Sequence, residues 1–262
     1  MPTFEPFNWY KTPLYYDIVF DEETSLEPEF LCDILARHGG TSGKRVLEPA
    51  CGSGRLLAAM ARRGFTVTGF DLSEPMLGFA KKRLHEQGLK GRLCVADMAD
   101  FVVPGAGRFD LAHCLVCSFK YLLSEDEARS HLNGIADALA PGGVYVLGIH
   151  LTDYEDRHKN HERWVSKRDD VEVVCNIQGW PADPKMRREL VRARLIVNEG
   201  ETQKRYETHW TFRTYGIRQM KSLLKSVPRL EHVATYDFYH DIAKTIPFDG
   251  ERLDTVLVLR RA

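Results

Sequence analysis

The chain has 262 residues, 44% hydrophobic and 28% charged, which suits one large core or one domain with an insertion and excludes a disordered or fibrous protein. A net charge of −1 gives no bulk attraction for nucleic acid or acidic membranes, and no apolar run approaches the ~18 residues of a membrane helix. The start, MPTFEPFNWYKTP, lacks a basic and then apolar leader, and the six cysteines are scattered, so reduced thiols and a cytoplasmic location are expected.

From 44 to 150, short β-rich runs alternate with helical patterns, the mark of successive βαβ units and a parallel sheet. The pattern predicts strands at 44–48, 66–70, 92–95, 109–115 and 143–149. One helix carries Leu56, Leu57, Met60 and Ala61 and stops at Gly64; the next follows Ser73 as N-cap with Pro75 in its first turn; a third covers 125–139 and ends before the breakers Pro141-Gly142-Gly143. Residues 153–170 are dense in charge without apolar period and read as an exposed connector. Alternation returns at Val171–Ile177, Val191–Val197 and Tyr206–Phe212, the last two joined by a turn at Asn198–Glu201, giving three antiparallel strands that read as a lid. A helix near 216–226 and strands at 230–239 and 253–259 close the chain. The division expected is a core of 1–152 plus 214–262 and a lid of 153–213, whose open sheet edge leaves room for a second copy in a homodimer.

The run Val46-Leu47-Glu48-Pro49-Ala50-Cys51-Gly52-Ser53-Gly54-Arg55 reads as strand, glycine turn and helix start, which lets a ligand lie against bare backbone. A diphosphate-binding turn usually adds a third glycine, where this chain has Leu57; Glu48 suits a ligand with a positive end better. Asp71, at the end of the second strand, is placed to accept from a ribose diol. Asp97 is placed to accept from an adenine amino group, with the Met98 backbone at the ring edge.

Together, EPACGSG, FDLS, ADM, FDLAHCLVCSFKYL and LAPGGVYVL resemble, in order and spacing over roughly 44–150, the class I S-adenosylmethionine-dependent methyltransferases. The resemblance implies a doubly wound α/β fold with a mostly parallel seven-stranded sheet of order 3-2-1-4-5-7-6, strand seven antiparallel. It implies S-adenosylmethionine as cofactor and S-adenosylhomocysteine as product, held by Tyr16, Glu48, Ala50, Gly52, Gly54, Arg55, Asp71, Leu72, Met76, Asp97, Met98 and Leu115. It also implies that Tyr15-Tyr16-Asp17, before the first helix, packs near the methionine moiety.

Methyl transfer from a sulfonium needs alignment and dryness more than a dedicated base, so a neutral amine is the readiest acceptor. The segment Leu115–Tyr121 is similar to its counterpart in macrolide aminosugar N-methyltransferases, which also carry an antiparallel substrate-side insertion, with Tyr121 standing where a His occurs. Tyr121 and His150 are therefore the candidate catalytic side chains, and Phe119, Trp180, His209 and Trp210 the candidate acceptor contacts. The function expected is methylation of a small molecule, on nitrogen ahead of oxygen. The alternatives are an RNA- or protein-modifying methyltransferase, a nicotinamide-dependent oxidoreductase and a non-catalytic scaffold.

Cys114 and Cys117 form a C-x-x-C without a second pair, and His158 and His161 lie in the charged connector, so no metal site is expected. Arg188, Arg192 and Arg194 share one strand face and read as a solvated sheet surface.

Overall fold

Alternating apolar residues build two sheets in the computed structural model, which describes residues 3–21, 26–103 and 109–262. In chain order the elements are β1 (Glu5–Pro6), a 3-10 turn (Trp9–Lys11), α1 (Pro13–Phe20), α2 (Glu27–His38), β2 (Arg45–Pro49), α3 (Arg55–Arg62), β3 (Thr66–Asp71), α4 (Glu74–Glu86), β4 (Gly91–Val95) and β5 (Phe109–Cys114). A second 3-10 turn (Ser118–Tyr121) leads to α5 (Glu125–Ala138), β6 (Leu139–His150), β7 (Asn160–Arg168), β8 (Val171–Gly179), β9 (Arg188–Glu199), β10 (Thr202–Arg213), α6 (Ile217–Lys225), β11 (Leu230–Tyr236) and β12 (Asp254–Arg261).

The main sheet has seven strands in the order β11-β12-β6-β5-β2-β3-β4. Counted along the chain this is the expected 3-2-1-4-5-7-6, with β12 antiparallel to β6. Successive side chains of a strand point to opposite faces, so Val144 and Val146 pack with Phe30, Ile34 and Leu57, while Tyr145 and Leu147 pack with Leu132, Ile135 and Leu223. Helices thus cover both faces, and the strand order reverses beside β2, where β3 and β5 flank it. That reversal opens a crevice at the carboxyl ends of the strands, the usual ligand position in such sheets.

Ser73 caps α4 by accepting from the Met76 amide at 3.4 Å, and Gly64 takes φ 82° just past α3, both as the sequence predicts. The third helix ends at Ala138, and β6 begins at once. Pro141-Gly142-Gly143 lie inside the strand rather than before it, and the β5–β6 ladder absorbs them with a register shift between Phe109 and Leu111.

The second sheet runs β1-β10-β9-β8-β7. The expected connector 153–170 is corrected here, because residues 160–168 form β7, which pairs with β8 at the edge of this sheet among the described residues. With most of its side chains exposed, β7 has no apolar period to betray it. β1 joins the other edge through two parallel pairs, Glu5 with Tyr206 and Pro6 with Glu207. Tyr15-Tyr16-Asp17 also lie within a helix, α1, not before one. Beneath this sheet, Trp9, Tyr15, Ile18 and Val19 pack with Val173, Cys175, Ala193 and Leu195, so the lid shares a core with the amino-terminal segment. Among the described residues no helix is long and apolar enough to cross a membrane.

Candidate active site

After β2 the chain doubles back through Ala50 (φ 52°), Gly52 (φ 52°) and Gly54 (φ 71°) into α3. The two glycines serve different ends. A Cβ on Gly54 would meet the Ala80 Cβ at 2.7 Å, so this glycine lets α3 and α4 touch. A Cβ on Gly52 would project toward Met76 Cε at 3.4 Å and Tyr16 Cε1 at 4.0 Å, which makes bare backbone at 52 part of the crevice wall.

Asp71 ties this loop down. Its Oδ2 accepts from the Gly52 amide at 2.9 Å and its Oδ1 from the Ser73 amide at 2.8 Å. Burial pushes the carboxyl above its ordinary range, against the backbone amides of Ser73, Gly52 and Leu72. Both oxygens keep lone pairs for a further donor. Asp71 pairs in register with Val95 of β4, so the adjacent strand ends bring Asp97 to the same edge. Asp97 is exposed, and its Oδ1 accepts from the Ala99 amide at 2.8 Å. Met98 is buried, Met76 is buried beneath Gly52, and Leu72 is 65% exposed at the rim.

Across the crevice, Tyr10 bridges two regions: its carbonyl accepts from Ser73 Oγ at 3.1 Å, and its hydroxyl meets the Tyr121 hydroxyl at 2.7 Å. Its ring lies 5.6 Å from that of Tyr16. Beside this pair opens a cavity of about 400 Å³, walled by Pro6 to Tyr10, Tyr121 and Glu207 to Trp210. The Trp210 indole N–H is buried with no partner among the described residues. His209 stands on the wall 3.7 Å from Glu207, whose carboxylate is held by Arg194 at 2.5 Å.

Residues 46–143 match the family described as "Methyltransferase domain". A protein of Geobacillus sp. strain WCH70, provisionally named a methyltransferase, is 27% identical over 225 residues, covering 85% of this chain and 87% of its own length. A ubiquinone biosynthesis O-methyltransferase of Aromatoleum aromaticum is 38% identical over 111 residues, 42% of this chain and 46% of that protein. Among solved structures, an S-adenosylmethionine-dependent methyltransferase of Clostridium acetobutylicum superposes with a TM-score of 0.77 at 20% identity, covering 97% of this chain and 99% of that one. The sugar N-methyltransferase KedS8 of Streptoalloteichus does so with 0.73 at 17%, covering 100% and 95%. Residues 46–143 thus form a methyltransferase domain, and the chain has the fold of S-adenosylmethionine-dependent methyltransferases.

Several of the methyltransferase's predicted site residues have side chains that are buried or engaged by other residues. Arg55, at the start of α3, turns into the interior, where its guanidinium grips buried Glu27, with Nη2 to Oε1 at 3.1 Å. Glu48 is likewise buried, its Oε2 4.0 Å from the buried His113 ring. Burial pushes the Glu48 carboxyl well up, against Arg55, and holds His113 down at about 3. Phe119 is a core residue, fully buried against His131 and Tyr215. Leu115 packs in the core between Val46 and Val146, and Trp180 lies outside the cavity wall, under Arg192 and Lys159.

His150 ends β6, as expected, but its Nδ1 is engaged by Asp254 at 2.5 Å. Partial burial opposes its charged form; Cys117 and Asp254 outweigh that and push it up to about 10, so the ring is an imidazolium at neutral pH. Tyr10, with Phe7, Asn8, Trp9, Glu207 and Thr208, completes the cavity wall without having been singled out in the sequence. Residues 3–12 are too short for a period, and the hydroxyl partner of Tyr10 lies 111 positions away.

Proposed function

We propose that this methyltransferase transfers a methyl group from S-adenosylmethionine to a small-molecule acceptor seated in the 400 Å³ cavity, nitrogen being favoured over oxygen as the acceptor atom. The Tyr10–Tyr121 hydroxyl pair at the junction of cavity and crevice carries this reading.

The residues present fit the cofactor. Bare backbone at Gly52, with Tyr16 and Met76 beside it, suits the methionine side, the Asp71 oxygens suit the two ribose hydroxyls, and Asp97 suits the adenine amino group. When bound, S-adenosylmethionine supplies an already activated methyl group for in-line displacement. Tyr10 and Tyr121 have the task of orienting the acceptor. Burial pushes both phenols up, so both are neutral, and one donates to the other. The pair retains one O–H and several lone pairs, enough to accept from an amine N–H and turn its lone pair toward the crevice. Neither phenol takes a proton as a base at neutral pH, and His150 already carries one. Such a site suits an acceptor that arrives neutral and nucleophilic, which an amine does more readily than an alcohol. Trp9, Tyr10, Tyr121 and Trp210 give the acceptor an aromatic wall to pack against.

Further support comes from shape. KedS8 and CalS10, the latter named an amino pentose methyltransferase, each align with 100% of this chain. A nucleic-acid substrate is less well served, because Arg192 and Arg194 on the lid are already engaged by Gln178 and Glu207.

The test is calorimetric titration with S-adenosylhomocysteine, with NAD as control, followed by a radiolabelled-methyl screen of small amines and matched alcohols. Micromolar binding of S-adenosylhomocysteine alone and label appearing in amines is the expected result. Binding of NAD instead, or label only in alcohols or phenols, overturns it.

A further inference from the structure

The loop that carries Asp97 is pinned from below by a buried chain of hydrogen bonds. His131, on α5, is fully buried, with Nδ1 2.8 Å from the Met98 carbonyl and Nε2 2.8 Å from the Tyr145 hydroxyl. A carbonyl only accepts, so Nδ1 carries the hydrogen, and Nε2 therefore accepts from Tyr145. Burial holds the ring down at about 4, against the Met98 carbonyl, so it is neutral at pH 7 and this one tautomer is fixed.

The Met98 carbonyl belongs to the same peptide unit as the Ala99 amide, which donates to Asp97 Oδ1 at 2.8 Å. One peptide plane is thus held at both ends, by His131 below and by the Asp97 carboxylate above. The chain runs from Tyr145, in the middle of the sheet, through His131 and this peptide to an exposed carboxylate at the sheet edge. With Oδ1 so engaged, Oδ2 is the second acceptor of this exposed carboxylate. Packing supports the same loop: the Phe101 ring lies 5.9 Å from that of His131, and a Cβ on Gly134, one turn along α5, would meet Phe101 at 3.0 Å.

We propose that His131 is a positioning residue for the adenine end of the cofactor site: it fixes the Met98–Ala99 peptide, and through it the Asp97 carboxylate, so that the 6-amino group is read by a preset acceptor. The inference rests on adenine lying at Asp97–Met98. It makes His131 a determinant of base selectivity although it touches no ligand.

The test compares calorimetric affinities for S-adenosylhomocysteine and S-inosylhomocysteine, which lacks the 6-amino group, in wild type, His131→Asn, His131→Gln and Tyr145→Phe. Asn can present an amide N–H where His Nδ1–H stands, whereas Gln reaches only the Nε2 position. Gln is expected to weaken S-adenosylhomocysteine about tenfold and to shrink the preference over the inosyl analogue, Asn to keep most of both, and Tyr145→Phe to fall between. At saturating cofactor, kcat should hold in all of them while the cofactor KM follows the affinity. Tyr145→Phe removes one oxygen only and keeps the test open should a His131 variant fail to fold. Equal losses in Asn and Gln, or losses shared by both ligands, reduce His131 to a packing residue and overturn the proposal. A wild type that binds S-adenosylhomocysteine with no preference over the inosyl analogue brings down the adenine placement itself; a clear wild-type preference unchanged in every variant overturns the role of His131 alone.

Discussion

Asp71 anchors the glycine loop through Gly52 and, under the function proposed above, also offers acceptors to the ribose, so its loss should be felt twice. Hydrogen bonds to a charged acceptor contribute roughly 1.5–3 kcal/mol each, so Asp71→Ala should weaken S-adenosylhomocysteine by at least about tenfold in calorimetry. Unchanged affinity removes Asp71 from the site. Tyr121→Phe keeps the ring edge-on to Phe212 but deletes one member of the hydroxyl pair. Turnover with the acceptor should fall while cofactor affinity stays put, and normal turnover would take Tyr121 out of the reaction. The buried histidines set the acid limb of stability. Folded values of about 3 for His113 and about 4 for His131 lie below the ordinary ~6.5, so the native state resists their protonation. Stability is therefore full above pH ~6.5 and is lost as pH falls toward 4, by on the order of 2 kcal/mol per histidine at pH 5. His113 makes no hydrogen bond among the described residues, so His113→Leu should roughly halve that loss in urea melts at pH 8 and pH 5. An equally steep loss in the variant would contradict this account. Residues such as Gly52, Asp71 and Asp97 were readable in the sequence because each sits where a strand ends, a local fact. Tyr10 and His131 were not, because their partners are set by tertiary packing.

Helices and parallel strands announced themselves through apolar period, whereas the two edge strands did not. β7 has a partner on one side only and exposes most of its side chains, and β1 is two residues long. The lid's attachment was equally invisible, since it depends on pairs distant in sequence. Lys120, 3% exposed, meets Glu189 of β9 at 2.5 Å, and Glu125 of α5 takes both Arg187 and Arg213 from the lid. On α1, Asp17 is gripped by Arg83 of α4 and by Arg168 of β7, the latter at 2.7 Å. These pairs fasten the second sheet to the turn that bears Tyr121, to α5 and, through α1, to α4. Leaving a buried cation alone is costly, so Glu189→Ala should lower unfolding free energy by about 3 kcal/mol in urea. Lys120→Met with Glu189→Leu, which removes both charges, should regain most of it. A single variant as stable as wild type would mean that Lys120 reaches solvent.

Taken whole, the molecule joins a cofactor fold that the sequence describes almost completely to a substrate side that it describes only in outline, because sheet register and amino-terminal docking are global outcomes. The ion pairs that tie the lid and α1 to α4 and to the turn at Lys120 predict that the two sheets unfold together. The four tryptophans fall at 9, 164, 180 and 210, all on the amino-terminal segment or the lid, so their fluorescence reports that side alone. Its urea midpoint should coincide with that of far-ultraviolet circular dichroism; an earlier fluorescence transition would show that the lid melts by itself. The pairing of Glu5 with Tyr206 also bears on biosynthesis. On the ribosome, residues 6–10 on one side of the cavity are made long before β10, which supplies the other side. The nascent chain thus completes the strands around Gly52 and Asp71 well before the cavity beside Tyr10 can close.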